Sequence, residues 1–198
     1  MTKKVLKNIW SFLQTIRPDQ VQYVKTLTKN NMVEGEFDNE DDFVNAFKPL
    51  PEMSLYTIPN KIKENVYPDD EINILYGSEK GRGIKKEDIQ SREYLFIDFD
   101  VVHKDEKDIS ATEEEHERAY NLVERVYQYL KKEHSFPDPI ICDSGNGYYL
   151  LYKTEELDNN EETDNIFKDV TRALANKFDT GKVIIDSKVH NANRLIKA

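Results

Sequence analysis

Apolar residues recur along the chain at two spacings, and each spacing predicts a different kind of element. Apolar positions three or four residues apart predict helices at residues 5–14, 40–47, 112–133 and 161–178. Short apolar or alternating runs predict strands at 21–27, 32–37, 54–58, 72–76, 94–99, 140–142, 148–152 and 183–185. The pattern therefore predicts a mixed α+β protein.

The order of elements is clearest in the second half. From about residue 93 it runs β-α-β-β-α-β, which is the order of the split βαβ sandwich. Two sets of apolar positions are expected to face the sheet from the helices: Ala119, Val123, Val126 and Leu130, then Ile166, Val170, Leu174 and Phe178. Thr112 and Glu115 form a capping box, and Gly145–Gly147 has the composition of a hairpin turn.

Charge is unevenly distributed over the 198 residues. The formal net charge is −10, and the acidic stretches 34–42 and 155–164 are predicted to be solvated surface. Basic residues gather before residue 30 and in a second group, Lys80, Arg82, Lys85 and Lys86, in and after a glycine-rich loop. This second group is the predicted nucleic-acid contact, because phosphate backbones bind Lys and Arg.

Composition also limits the setting. No run of eighteen apolar residues exists, so we expect no membrane partner. The single cysteine, Cys142, cannot form an internal disulfide and fits a reducing, cytoplasmic location. Its expected role is that of a small buried hydrophobe in a strand.

Three aspartates stand at strand ends in the second half. Asp98 and Asp100 are two residues apart, so their side chains point to the same face of the sheet. Asp186 follows the last strand, and in a split βαβ sheet the first and last strands can bring the three carboxylates together. Hard divalent ions such as Mg²⁺ prefer oxygen ligands of this kind. We therefore predict a metal site formed by Asp98, Asp100 and Asp186.

A second group of residues is predicted to contact phosphate. The segment Ser144, Gly145, Asn146 and Gly147 could be a plain hairpin turn, or a backbone nest whose N–H groups receive a phosphate. Arg194 lies eight residues beyond Asp186, where its guanidinium could clamp the same phosphates. Both Arg194 and Lys197 could equally be surface charges.

These motifs, in this order, carry a resemblance. Residues 94–100 (YLFIDFD), 109–112 (ISAT), 143–152 (DSGNGYYLLY) and 185–194 (IDSKVHNANR) together resemble the bifunctional primase-polymerase domain. This domain is a branch of the archaeo-eukaryotic primase superfamily found in phage and plasmid replication proteins. The resemblance is strongest from about residue 84 to residue 197.

The resemblance implies a fold, a chemistry and a set of partners. The fold would be one catalytic domain, with an N-terminal α/β part at about 1–92 and an RNA-recognition-motif-like part at 93–198. The chemistry would be metal-dependent, template-directed nucleotidyl transfer with Mg²⁺ or Mn²⁺ at Asp98, Asp100 and Asp186. The partners would be a DNA template, a (deoxy)nucleoside triphosphate and, in a longer protein of which this chain would be a fragment, a helicase domain.

One departure from the family pattern leaves a rival function open. The family usually has histidine where this chain has Tyr149, a residue expected in the nucleotide pocket. A phenol with a pKa of about 10 supplies no positive charge at neutral pH. One alternative is thus a weakly active or inactive nucleotide- or nucleic-acid-binding module of a replication-initiation protein. Another is a haloacid-dehalogenase-type phosphatase, whose nucleophile motif residues 96–102 also fit.

Overall fold

The computed structural model of the chain describes residues 1–27, 32–64, 66, 68–77, 83–102 and 110–198. Two compact units share these residues: the first comprises Met1–Ser91 and Asn193–Ala198, and the second comprises Arg92–Ala192. The last six residues, which the sequence grouped with the second half, thus belong to the first unit.

The described part of the chain contains these helices and strands in chain order: α1 (Lys3–Ile16), β1 (Gln22–Leu27), β2 (Met32–Phe37), α2 (Glu40–Phe47), β3 (Leu55–Thr57), β4 (Lys61–Ile62), β5 (Tyr76–Gly77), β6 (Ile89–Val101), α3 (Glu113–His134), β7 (Ile140–Asp143), β8 (Gly147–Asp158), α4 (Glu161–Phe178), β9 (Val183–Ile185) and β10 (Ile196–Lys197). Single 3₁₀ turns at Asp69–Glu71 and Lys86–Asp88 complete the set. The predicted α+β class is confirmed.

The first unit is an antiparallel sheet with helices α1 and α2 on one face. The strand order is β10-β3-β1-β2-β5. Apolar side chains of both helices and three strands form its core: Leu6, Trp10, Leu13, Val24, Phe37, Phe43, Val44, Phe47 and Leu55. Asn39 begins α2 by accepting a hydrogen bond from the Asp42 backbone N–H at 2.9 Å, as its position before three acids predicts.

The second unit has the predicted β-α-β-β-α-β order. Strand β6 lies between β8 and β9, and β7 pairs with β8. Helices α3 and α4 cover one face of this sheet, with a core formed by Leu95, Ile97, Phe99, Ala119, Leu122, Val123, Val126, Leu130, Leu150, Tyr152, Phe167, Leu174, Phe178, Val183 and Ile185. The capping box of Thr112 and Glu115 begins α3 as predicted.

Three local expectations from the sequence are wrong. Residues 72–76 form a strand only at Tyr76, because the preceding chain makes a 3₁₀ turn and Asn73 adopts a left-handed conformation (φ 66°). Ile166 is 51% exposed, since Phe167 and Thr171 occupy the inward face of α4 instead. In the acidic stretch 34–42, two carboxyls are buried rather than solvated: Glu34 is 3% exposed and Glu36 is 7% exposed.

No helix within the described ranges is long and apolar enough to cross a membrane. The predicted turn at 29–31 and the glycine-rich loop at 78–82 lie outside the described residues, as do Lys80, Arg82 and Ile109.

Candidate metal and nucleotide site

Strand β6 directs Asp98 and Asp100 to the sheet face opposite the helices. Leu95, Ile97 and Phe99 alternate along the strand and all belong to the core under α3 and α4. Because successive side chains of a strand point to opposite faces, Asp98 and Asp100 share the other face. Asp98 is half-buried and Asp100, nearer the strand end, is exposed.

The antiparallel register of β6 and β9 sets Asp186 beside Asp98. Phe99 is paired with Ile185, so the next position along each strand pairs Asp98 with Asp186. The Asp186 backbone N–H donates to the Asp98 carbonyl oxygen at 3.0 Å. Since Ile185 points into the helix-covered core, the Asp186 side chain points to the face that carries Asp98 and Asp100.

The donor chemistry of this trio suits a hard divalent cation, because it consists entirely of carboxylate oxygens. The side chains are not drawn into a preformed cage, however. In the part of the chain that the structure describes, no group of three or more His, Cys, Asp or Glu residues is arranged as a metal site. One Asp186 carboxylate oxygen also accepts the Lys188 backbone N–H at 2.8 Å. The ligand set therefore stays a prediction.

Tyr149 lies on the same face as the aspartates. Its neighbour Tyr148 packs against the helix-covered core, so alternation directs Tyr149 to the opposite side. The ring is 2% exposed and stands 5.4 Å from the Phe96 ring, centroid to centroid. Across the hairpin it pairs with Cys142, to which its side chain is hydrogen bonded.

Burial governs the chemistry of this pair. Desolvation raises the pKa of the Tyr149 phenol far above its ordinary value of 10, and the nearby Cys142 and Asp98 raise it further. Burial also raises the pKa of the Cys142 thiol. Both groups are thus neutral at physiological pH. Cys142 lies in strand β7 as expected, but it is only partly buried rather than buried.

Several polar groups of the hairpin turn between β7 and β8 are hydrogen bonded to other groups of the protein. The Ser144 N–H donates to the Gly147 carbonyl at 3.0 Å, and the Gly145 N–H donates to Asp143 Oδ1 at 2.7 Å. Asn146 Oδ1 accepts the Ala111 N–H at 3.3 Å. These contacts favour the plain hairpin interpretation at Ser144, Gly145 and Asn146 over a nest aimed at phosphate.

Gly147 has a structural reason to be glycine. A Cβ atom added there would overlap the Phe99 carbonyl oxygen of the neighbouring strand. The missing side chain therefore lets β8 approach β6 directly beside the aspartate pair.

The sequence did not reveal a hydrogen-bonded cluster at the base of this hairpin. His116 of α3 contacts Asp143 Oδ1 through Nε2 at 3.1 Å and the Tyr148 hydroxyl through Nδ1 at 2.9 Å. The His116 and Tyr148 rings also pack at 4.5 Å, and Tyr120 meets Tyr148 edge-on. This cluster fixes the hairpin that carries Tyr149 to helix α3. Spacing between residues 116, 143 and 148 gave no sequence signal.

A cationic groove lies on the helix side of the second unit, at the end of β6. It has a volume of about 460 Å³, and its lining includes Arg118 and Lys182, the acid Glu115, and Val101 and Val183. Val101 directly follows Asp100, and Glu114 pairs with Arg118. Lys182 lies four residues before Asp186, and the sequence gave no reason to choose either cation.

The remaining predicted cations belong to the first unit. Arg194 and Lys197 are half-buried, and Lys197 sits on β10 opposite Tyr56. Lys85 and Lys86 are exposed at the 3₁₀ turn that precedes β6. The aspartates belong to the second unit, so the phosphate contact of Arg194 and Lys197 stays a prediction.

Compared with known protein families and with curated proteins, the chain matches no family model and no curated protein. The likeness to primase-polymerases therefore rests on the motifs in their order.

Proposed function

We propose that the chain is the nucleotidyl-transferring domain of a primase-polymerase. The observation that carries the proposal is the pairing of Asp98 with Asp186 across β6 and β9, with Asp100 on the same face. Two motifs separated by more than eighty residues in sequence thus meet on one sheet face. The resemblance leads us to expect a split βαβ unit of this kind, with its metal-binding aspartates together on the sheet face opposite the helices.

In this proposal Asp98, Asp100 and Asp186 hold Mg²⁺ or Mn²⁺. The 3′-hydroxyl oxygen of a primer, or of a first nucleotide, forms a bond to the α-phosphorus of the incoming triphosphate. The bond from that phosphorus to the β-phosphate oxygen breaks, pyrophosphate leaves, and the hydroxyl proton passes to solvent. When bound, the divalent ions lower the pKa of the hydroxyl and neutralise charge on the leaving pyrophosphate.

The other predicted residues have supporting roles. Phe96 and Tyr149 provide a dry wall beside Asp98, which excludes water from one side of the reacting groups. Arg194 and Lys197 are proposed to bind the triphosphate, and the basic groups at residues 80–86 are proposed to bind the DNA template. A helicase domain is the proposed neighbour in a longer protein.

One observation favours a second candidate, a nucleotide- or nucleic-acid-binding module without catalysis. Tyr149 is buried and neutral where a cation would offset triphosphate charge. Such a module would bind metal and template but would not join nucleotides. The phosphatase alternative has less support, because it needs a further acidic pair at the end of a parallel strand, whereas β9 runs antiparallel to β6.

A primer-extension assay tests the proposal. The wild-type protein, incubated with a primed DNA template, deoxynucleotides and Mn²⁺ or Mg²⁺, is expected to lengthen the primer. Asp98→Ala should abolish extension, while Glu117→Ala, a change at an exposed acid on α3, should not. Absence of extension by the wild type, together with Mn²⁺ binding that Asp98→Ala removes, would favour the binding module. Absence of both would overturn the metal site itself.

A further inference from the structure

A cleft of about 610 Å³ is lined entirely by residues of the first unit, none of which has been assigned a role above. The loop after α1, strand β2, strand β4 and the segment before β5 form its walls. The volume falls within the range of small-molecule sites, which is roughly 300–1,000 Å³.

Glu36 marks this cleft as more than a surface depression. The side chain lines the cleft and is only 7% exposed. Across the described residues, its carboxyl group makes no hydrogen bond and no ion pair within 4 Å. Buried carboxyls are normally hydrogen bonded, because an unsatisfied one costs free energy. Its neighbour Glu34, two residues earlier and also buried, has such partners: the Tyr23 hydroxyl at 2.5 Å and Lys25 at 3.3 Å.

The segment that lies beside Glu36 is held in place. Asn73 is left-handed (φ 66°), and its N–H donates to the Glu36 carbonyl oxygen at 2.7 Å. Its amide group also donates to Asp38 Oδ1 at 2.8 Å and accepts the Asp38 N–H at 3.1 Å. A second left-handed residue, Asp19 (φ 57°), lies on the loop after α1, which also lines the cleft. Asn and Asp adopt this conformation readily, so both turns form without a steric penalty.

The lining combines three kinds of group. Arg17, only 1% exposed, brings a guanidinium near Glu36, and its charge opposes the effect of burial on the pKa of that carboxyl. Val21, Ile62 and Ile72 supply apolar surface, Lys61 and Lys63 supply cations, and the lining also contains the acids Asp19, Asp38 and Glu64. A carboxyl beside a guanidinium would match a flat ligand group that has adjacent hydrogen-bond donors and acceptors. The apolar side chains would then pack against the faces of that ligand group. Lys61 and Lys63 would suit an attached phosphate.

We propose that this cleft binds a nucleotide, with its base at Glu36 and Arg17 and its phosphate at Lys61 and Lys63. The base contributes an N–H that donates to the Glu36 carboxyl, which supplies the partner the protein itself does not. This inference deepens the proposed function, because it adds a nucleotide site to a nucleotide-handling domain. The nucleotide could be free or could be an unpaired residue of a strand, since both present the same chemistry.

Calorimetric titration of the whole chain with the four nucleoside 5′-monophosphates tests the inference. At pH 8, where Glu36 is ionised, at least one is expected to bind, and Glu36→Gln should weaken it about tenfold or more, the effect of losing a hydrogen bond to a charged group. Lys61→Gln with Lys63→Gln should weaken the nucleotide but not the matching nucleoside. The matched control is Glu34→Gln, a buried glutamate of the same strand that does not line the cleft. Circular dichroism should show each variant folded.

Methyl NMR places the ligand independently of affinity. The methyl signals of Ile62 and Ile72 should shift on titration, while that of Ile141, exposed in the second unit, should not. If a 5′-phosphorylated tetranucleotide displaces the monophosphate, the ligand of the cleft is an unpaired residue of a strand. If it does not, the ligand is a free nucleotide. The inference is overturned if no monophosphate binds, or if binding is unchanged by the Glu36 and Lys61/Lys63 variants. Failure of primer extension with these shifts intact would overturn only the catalytic proposal.

Discussion

The backbone N–H of Asp186 donates to the carbonyl oxygen of Asp98 at 3.0 Å, which ties together the ends of the first and last strands of the second unit. This bond continues the ladder in which Phe99 faces Ile185. Asp98 lies within β6, and Asp186 directly follows β9 and is tied to β6 by this bond. A divalent ion would only have to draw in side chains whose main chains are already adjacent.

Tyr149→His is expected to strengthen nucleotide binding or incorporation. A histidinium next to the aspartates would offset triphosphate charge through a charge-assisted hydrogen bond, worth about 1–2 kcal/mol over the neutral phenol. Nucleotide affinity and extension, measured for wild type and variant below pH 6.5, would show the gain. Tyr149→Phe is the control, because it removes the hydroxyl bonded to Cys142 without adding charge. Equal gains in both variants would attribute the effect to relieved packing instead.

Gly147→Ala should destabilise the second unit by about 1–3 kcal/mol, the usual cost of overpacking. The new methyl group would overlap the Phe99 carbonyl oxygen, and strand β8 would have to move away from β6. Urea unfolding monitored by circular dichroism measures the change. Gly77→Ala is the matched control, since that strand glycine has open space around the Cβ position. Similar losses in both would mean that close approach of β8 is not the cause.

Glu36 makes the stability of the first unit depend on pH. Burial raises the pKa of Glu36 to about 7 from its ordinary 4.5, so the folded state binds this proton more tightly than the unfolded state. The associated stability is complete below about pH 4.5 and is lost as pH rises through 7. Glu36→Gln, which never ionises, should therefore be more stable than wild type at pH 8 by up to about 3 kcal/mol.

At pH 5 the Glu36→Gln variant and the wild type should unfold at nearly the same urea concentration, because the carboxyl is protonated in the folded wild type. Glu34→Gln should instead lose stability at pH 8, since it breaks the contacts to Tyr23 and Lys25. A Glu36→Gln variant that is less stable at pH 8 would contradict the assigned burial.

Neutralising the basic group Lys80, Arg82, Lys85 and Lys86 should weaken DNA-template binding and flatten its salt dependence. Each lost phosphate contact on a single strand lowers the slope of log K against log salt by about 0.7. Fluorescence anisotropy at several salt concentrations measures both quantities. Glutamine at four exposed lysines elsewhere provides the control: Lys131, Lys132, Lys168 and Lys177. Equal slopes for the two quadruple variants would mean that the basic group has no specific role in DNA binding and is only surface charge.

The sequence predicted those elements whose apolar residues recur at a regular local spacing. Strand β9, helix α2 and helix α4 have the predicted bounds, because caps and periodic apolar residues specify them. Alternation on β6 likewise put Asp98 and Asp100 on one face. Strands β4 and β10 were missed, since two residues are too few for a period, and both are specified by tertiary pairing with distant strands.

For the candidate sites, too, the sequence could not predict contacts that depend on tertiary packing. The nearness of Asp186 to Asp98 could be inferred because topology dictates it. The burial of Glu36 could not be inferred, because a run of acids predicts solvated surface whichever carboxyl the fold encloses. The contacts of His116 with Asp143 and Tyr148 depend on how α3 lies over the hairpin, which no local pattern encodes.

Single-nucleotide incorporation on a primed DNA template is the most direct measurement of the central claim. The wild type with Mn²⁺ should add the nucleotide complementary to the template, and EDTA should stop the reaction. Asp186→Asn should slow incorporation on the order of 100-fold or more, the scale of losing transition-state charge stabilisation. Asp158→Asn, at the far end of β8, should leave the rate unchanged. Incorporation that proceeds equally in wild type and Asp186→Asn, or that ignores the template base, would contradict the account.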